Sequence, residues 1–301
     1  MRTVALVILA ATLAPAQGAT PKFDSGRAYA DMQQMVGYGP RPAGSAALET
    51  TRDYIRKELK AAGLAVHEQA FDADTPSGRV HMINLSTTVP GRTSNKGRIV
   101  IGGHYDTKVE RKFRFVGASD AASSAAFVLE MARTLKSRTN ELPIELLFLD
   151  GEEAVCEGWD DCNRPGNPDH TYGSRYYAQQ AAKAGGPKDV RAFILVDMIG
   201  AKPLIVHREQ YSTPWLTDAI WAAAHKLGHA EFKDDTFPVE DDHLEFLEAK
   251  IPSVDIIDLN DYPQWHTAQD DLAHVGASSL QTVGDVVIAA LPAIEKHLRG
   301  T

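Results

Sequence analysis

The chain has 301 residues, 44% hydrophobic and 24% charged, with a formal net charge of −9 and a pI near 5.6. This is the composition of a globular protein, and its length is ample for a full core in one large domain or two small ones. The acidity, with no basic stripe to meet phosphates, argues against a nucleic-acid partner.

Met1 to Ala19 reads as a secretory signal. Arg2 gives the positive start, Val4–Leu13 the apolar segment, and Ala14-Pro15-Ala16 or Gln17-Gly18-Ala19 the small-residue cleavage site. The apolar run is short for a bilayer and no later segment comes close, so no membrane span is expected. A secreted or periplasmic protein is expected, with residues 20–301 forming one domain.

An amphipathic helix is expected over Ser25–Met35, then the turn-rich YGPRPAGS (Tyr38–Ser45). A second helix over Ala46–Ala62 follows from the helical spacing of Leu48, Tyr54, Ile55 and Leu59. Gly63 stands where a C-cap glycine belongs. Apolar strands are expected at His81–Val89, Arg98–Asp106, Ile144–Asp150, Ala192–Gly200 and Ser253–Leu259. Between them lie helical stretches at Asp120–Lys136, Tyr172–Ala184, Pro214–Leu227 and Leu244–Ala249, with a last helix over about Ser278–His297. Strands alternating with helices imply an α/β layered fold around a mostly parallel, buried sheet. Four strands end at or near an acid: Asp106, Asp150, Asp197, and Asp255 or Asp258. In open α/β sheets ligands bind outside the carboxyl ends of the strands, so these acids are expected to converge.

The stretch LFLDGEEAVCEGWDD (Leu147–Asp161) carries a buried-looking strand straight into Asp150, Glu152 and Glu153. Crowded carboxylates raise one another's pKa unless a cation sits among them. Candidates for the rest of such a site are His104 and Asp106 in GGHYDTK, Asp120 before a helix of small residues, Asp197 in LVDMIG, and His266 behind Trp265 in QWHTAQDD. Imidazole and carboxylate together suit zinc, which in catalytic sites keeps one position open. Each motif alone is weak, since Asp120 could be a helix N-cap and Glu152–Glu153 a solvated loop. Together, in this order at strand ends and helix starts, they make a strong signal.

The two cysteines, Cys156 and Cys162, could close a small loop in an oxidising compartment. Their spacing allows a disulfide without establishing one. Metal ligation by them is disfavoured for want of a matching Cys/His pair. His225 and His229 lie four apart without the glutamate a zincin needs, and read as surface residues. Asn84-Leu85-Ser86 is a glycosylation acceptor pattern, meaningful only in a eukaryotic secretory pathway.

From GPRPAGS to WHTAQDD the sequence resembles the di-zinc aminopeptidase superfamily, and within it the glutaminyl-peptide cyclotransferases of the animal and bacterial type. Three features lean to that branch: Trp159 soon after DGEEA with YGSRYYA (Tyr172–Ala178) following, EDDHLEFL (Glu240–Leu247), and tryptophan directly before the histidine of WHT. The resemblance implies a single-domain three-layer sandwich of the aminopeptidase type. It implies one zinc on Asp120, Glu153 and His266, and Glu152 as general acid/base. Asp197 would hydrogen-bond to Glu152 and Asp241 extend that network, while Trp159 and Trp265 line the substrate pocket. His104 and Asp197 match the second-metal ligands of the aminopeptidases, but the cyclases this chain resembles keep those types and bind one zinc, so their presence does not discriminate. The implied substrates are peptide or protein N-termini beginning with glutamine, acted on by a monomer. The sequence departs from the animal enzymes in having Asp255 where they carry a histidine, Glu240 where they carry glutamine, and a differently placed cysteine pair. The alternatives are a secreted two-zinc aminopeptidase and an inactive peptide-binding relative.

Overall fold

The computed structural model describes residues 21–93 and 95–300, so the expected signal at Met1–Ala19 lies outside the described residues. Helix α1 (Ser25–Gly37) starts at Asp24, whose carboxylate accepts from Arg27 N, and α2 (Ala46–Ala61) starts at Ser45, whose hydroxyl accepts from Leu48 N. Then come β1 (His67–Thr75), β2 (Gly78–Val89), β3 (Arg98–His104), α3 (Ser124–Leu135) and β4 (Ile144–Leu149). They are followed by α4 (Tyr172–Ala184), β5 (Val190–Asp197), β6 (Val206–Glu209) and α5 (Pro214–Leu227). The last elements are β7 (Phe232–Phe237), α6 (His243–Glu248), β8 (Ser253–Ile257) and α7 (Ala277–Gly300).

Six strands form the central sheet in the order β1-β2-β4-β3-β5-β8. Strands β4, β3, β5 and β8 run parallel, while β1 and β2 add an antiparallel edge. The parallel strands are buried on both faces, and alternate residues go to opposite sides. Ile99, Ile101, Ile194 and Val196 join α1, α2, α3, α5 and α7 in one core. Val100, Leu147, Phe193 and Leu195 meet α4 and α6 in another, where Phe193 stacks on Phe246 with ring centroids 3.8 Å apart. The result is the expected three-layer α/β sandwich. Gly103 lets β3 approach α3 and β5, since a Cβ there would lie 2.6 Å from Val196 O and 2.9 Å from Ser124 Cβ.

Three strands escaped the sequence reading. β1 alternates correctly but offers Phe71 as its only large apolar side chain, and β7 is mostly exposed and charged. β6 is short, and pairs with β7 in a separate two-stranded parallel ladder. The helix expected from Asp120 begins instead with an irregular turn over Ala118–Ser123, in which Asp120 has the non-helical φ −109° and ψ 91°. The cap position of α3 is Ser123, so Asp120 is not its N-cap. The expectation that no later segment approaches membrane-spanning character also needs correcting, because α7 is long and apolar enough by length and composition. Its apolar face is instead buried in the core, with Gly284 pressed against the ring of Phe23.

Asn84 is 1% exposed within β2. Its amide donates to Gln69 Oε1 and Gly173 O and accepts from Asp150 N, so the folded chain has no glycosylation acceptor there. Asp150, the first acid of DGEE, also points away from the site. It is fully buried and accepts from Arg52 Nη2 (3.1 Å), Ile83 N (2.8 Å) and Tyr105 Oη (3.1 Å). Arg52→Met should leave this carboxylate buried without its cation and destabilise the protein by about 3–5 kcal/mol, read as a lower midpoint in urea unfolding.

Candidate active site

β4, β3 and β5 are neighbours in the sheet, and their carboxyl ends deliver DGEE, His104 and Asp197 to one crevice. His104 Nε2 lies 3.2 Å from Asp120 Oδ1 and 3.1 Å from Asp197 Oδ1. His266 Nε2 lies 3.3 Å from Asp120 Oδ2 and 3.2 Å from Glu153 Oε1. Asp120 thus turns one carboxylate oxygen to each histidine. Two ligand sets result, Asp120–Glu153–His266 and His104–Asp120–Asp197, each with its ligand atoms within 4.8 Å of one another.

The electrostatics call for a cation. Burial works against charge on His266, yet Glu153 and Asp120 outweigh it and raise its pKa to about 10. Burial likewise disfavours the charged form of His104, but Asp197 and Glu152 hold its pKa well above the ordinary value. Asp120 is pulled down by the two histidines against the effect of burial. Burial, reinforced by Glu153, Asp241 and Asp242, pushes Glu152 well up. Both imidazole Nε2 nitrogens thus lie between carboxylate oxygens, as the ligands of a cation would. A borderline divalent ion with nitrogen and oxygen ligands, zinc above all, fits this donor set.

Backbone geometry is fixed from behind by acids that ligate nothing. Asp106 accepts from Glu152 N (3.1 Å) and Glu153 N (3.4 Å) and lies 3.4 Å from His104 Nδ1. Asp270 accepts from Ser119 N (2.7 Å), Asp120 N (3.1 Å) and Tyr262 Oη (2.7 Å). Gly117 has φ 51°, and a Cβ there would collide with the Asp120 carbonyl. Arg41, fully buried, donates to Val116 O (2.8 Å) and Gly117 O (3.0 Å). His266 itself is held at φ 51°, uncommon for a non-glycine residue and a site of local strain. Trp265 stacks on its ring at 4.3 Å and Phe115 meets it edge-on at 5.7 Å.

A cavity of about 530 Å³ opens beside the cluster. Glu152, Glu153, Asp197 and Asp241 face it, Trp159 and Trp265 stand among its walls, and the exposed Glu240 lies at its rim. Trp159 stacks on His170 with centroids 4.0 Å apart. Cys156 and Cys162 are joined in a disulfide, their Cα atoms 6.1 Å apart. Lys108 is buried at the cavity, donating to Ala154 O and Cys156 O at 3.2 Å each.

The expected metal, acid/base and pocket residues therefore reach this crevice, whereas the strand-end acids Asp106, Asp150, Asp255 and Asp258 do not line it, and one connection differs. The hydrogen bond expected from Asp197 to Glu152 is replaced: Asp197 Oδ1 accepts from Ser124 Oγ and faces His104 Nε2, both at 3.1 Å. Asp255 is fully buried behind Asp241, and His243 lies next to it, with Nδ1 3.7 Å from Asp255 Oδ2 and Nε2 3.0 Å from Glu209 Oε2. His243 was passed over in the sequence, although the run DDH at a helix start marks it. Asp270 and Arg41 were missed as well. Asp270 had a signal in lying four residues beyond His266, whereas Arg41 had none. His225 is exposed on α5 and His229 lies beyond that helix, so the two share no helix face.

Residues 84–291 match the sequence profile of peptidase family M28. A glutaminyl cyclase from an Acidobacteriales bacterium superposes with a TM-score of 0.86 at 35% identity, covering 95% of this chain and all of that one. A leucine aminopeptidase precursor from Bacteroides thetaiotaomicron superposes with a TM-score of 0.80 at 28% identity, over 90% of this chain and 98% of its own. Among curated sequences, the glutaminyl-peptide cyclotransferase of Boiga irregularis is 29% identical over 288 residues, covering 82% of this chain and 75% of that protein.

Asp270→Asn should keep an acceptor for one of the two backbone N–H donors, set an NH2 group against the other, and loosen Asp120. Zinc affinity of the stripped protein, measured by equilibrium dialysis, should fall by about 10–100-fold with far-UV circular dichroism unchanged.

Proposed function

Because the chain belongs to peptidase family M28, in its glutaminyl cyclase branch, we propose that it converts the N-terminal glutamine of peptides to pyroglutamate with release of ammonia. The observation that carries this reading is the buried Glu152 at the floor of a cavity walled by Trp159 and Trp265, beside the Asp120–Glu153–His266 set.

In the reaction the α-amine attacks the side-chain amide carbon, a C–N bond forms, and the bond to the departing nitrogen breaks. One zinc ion on Asp120, Glu153 and His266 would supply Lewis-acid polarisation of the amide carbonyl. Glu152 takes the proton from the attacking amine and returns it to the leaving nitrogen, so that ammonia departs neutral. Burial raises its proton affinity, which suits a group that must hold a proton between two transfers. Asp197 and Asp241 flank it as part of the same acid network. Trp159 and Trp265 hold the glutamine side chain folded back on its amine and keep water away, since a competing water would hydrolyse the amide. The substrates are peptide and protein N-termini beginning with glutamine, met by a monomer outside the cytoplasm after removal of the N-terminal signal.

A second reading, a two-zinc aminopeptidase, is favoured by one observation: the His104–Asp120–Asp197 set is complete and shares Asp120 with the first. Zinc-loaded protein should release one ammonia from a peptide beginning with glutamine and leave one beginning with leucine intact, as read by mass spectrometry. Loss of the terminal residue from either peptide, with two zinc ions per chain, would establish the peptidase instead. Glu152→Gln should retain zinc and lose about 10²- to 10⁴-fold in kcat; wild-type turnover in the metal-replete variant would remove Glu152 from its role.

A further inference from the structure

The covalent ring closed by Cys156 and Cys162 has Trp159 at its midpoint, three residues from each. It lies in the segment between β4 and α4, where no helix or long strand forms. The segment is firmly tied at its base. Thr171 N donates to Glu152 O (2.7 Å), Tyr172 N to Gly151 O (2.8 Å), and Glu152 N to Asp106. Asp169 accepts from Cys156 N (2.9 Å) and Tyr172 Oη (2.7 Å).

At the tip these ties stop. The backbone bonds of residues 157–161 are local, from Gly158 N to Asp161 Oδ2, from Asp161 N to Gly158 O, and from Asn163 N to Asp160 O. Among the described residues the Trp159 indole N–H has no hydrogen-bond partner, although it is buried. Among the described residues the ring of Trp159 stacks on no aromatic ring but that of His170, and the side chain of Glu157 pairs with the exposed Lys112. An aromatic wall so weakly held by hydrogen bonds would swing with its loop. The disulfide shortens that loop at the point where the bonding fails.

We propose that the Cys156–Cys162 disulfide is a positioning element of the substrate pocket, which holds Trp159 against His170 over the cavity and thereby sets substrate affinity. This rests on the reading that Trp159 contacts the glutamine side chain. The metal ligands do not depend on the staple, because Glu153 N is held by Asp106, and Asp120 and His266 arrive from other elements.

Steady-state kinetics on a glutaminyl peptide, with zinc content measured on the same preparations, test this in the full chain. Trp159→Ala should raise KM. Cys156→Ser/Cys162→Ser should raise KM in the same direction by about 3–10-fold, the size of one misplaced aromatic contact, with kcat and zinc content as in the wild type. Wild-type enzyme treated with a water-soluble phosphine gives the same comparison without a substitution. The disulfide gains two electrons and two protons to become two thiols, and the phosphine becomes its oxide with oxygen from water. Both cysteines are partly exposed and open to it. A wild-type KM after loss of the disulfide, while Trp159→Ala raises it, would overturn the proposal; so would a joint fall of zinc content and kcat. An unchanged KM in Trp159→Ala would instead take away the pocket reading beneath it.

Discussion

The structure is organised around a shortage of positive charge. Asp120, Glu152, Glu153, Asp197 and Asp241 are brought together under burial, with two imidazoles and one lysine near enough to answer them. Carboxylates withdrawn from water at such density would resist ionisation or push the chain apart. A cation resolves both difficulties, and Asp120, presenting one oxygen to each histidine, is the residue on which the arrangement turns. The parallel sheet makes it affordable to build, because three strands aimed at one crevice let their ends do the converging.

Around that centre, rigidity is supplied by groups that never face the cavity. Asp106 and Asp270 each clamp two successive amides, and Arg41 holds the carbonyls just before Asp120. All three are ionisable and buried, so each must be satisfied by backbone dipoles or by other charges at a distance. The left-handed backbone at His266 belongs to the same logic. A conformation of modest cost is tolerated where the surrounding contacts determine it, and it aims the imidazole at Asp120.

Most of the α/β layering was legible in the sequence, because buried parallel strands write themselves as uninterrupted apolar runs and helices as a helical period. β1 and β7 were not, since an edge strand facing solvent needs little apolar character and β7 carries Lys233, Asp234 and Asp235 in its middle. The site was legible to the extent that residue types and strand ends announce a metal. What stayed hidden was the support. Asp270 reads as one more surface acid until its amide partners are seen, Arg41 reads as part of a turn, and His243 is indistinguishable from a helix-start residue until Asp255 and Glu209 close around it. Long-range pairing of this kind leaves no periodicity for a sequence to carry.

The burial of α7 has a consequence for how the chain must be made. Its apolar face is completed by α1 and by Phe23, residues more than two hundred positions earlier in sequence. Until those distant segments meet, α7 is covered only where α5 and α3 pack on it, and α1 lacks one of its two main helix neighbours. The first part of the core therefore waits on the last, a long-range dependence that slows folding and leaves apolar surface within reach of chaperones in the meantime.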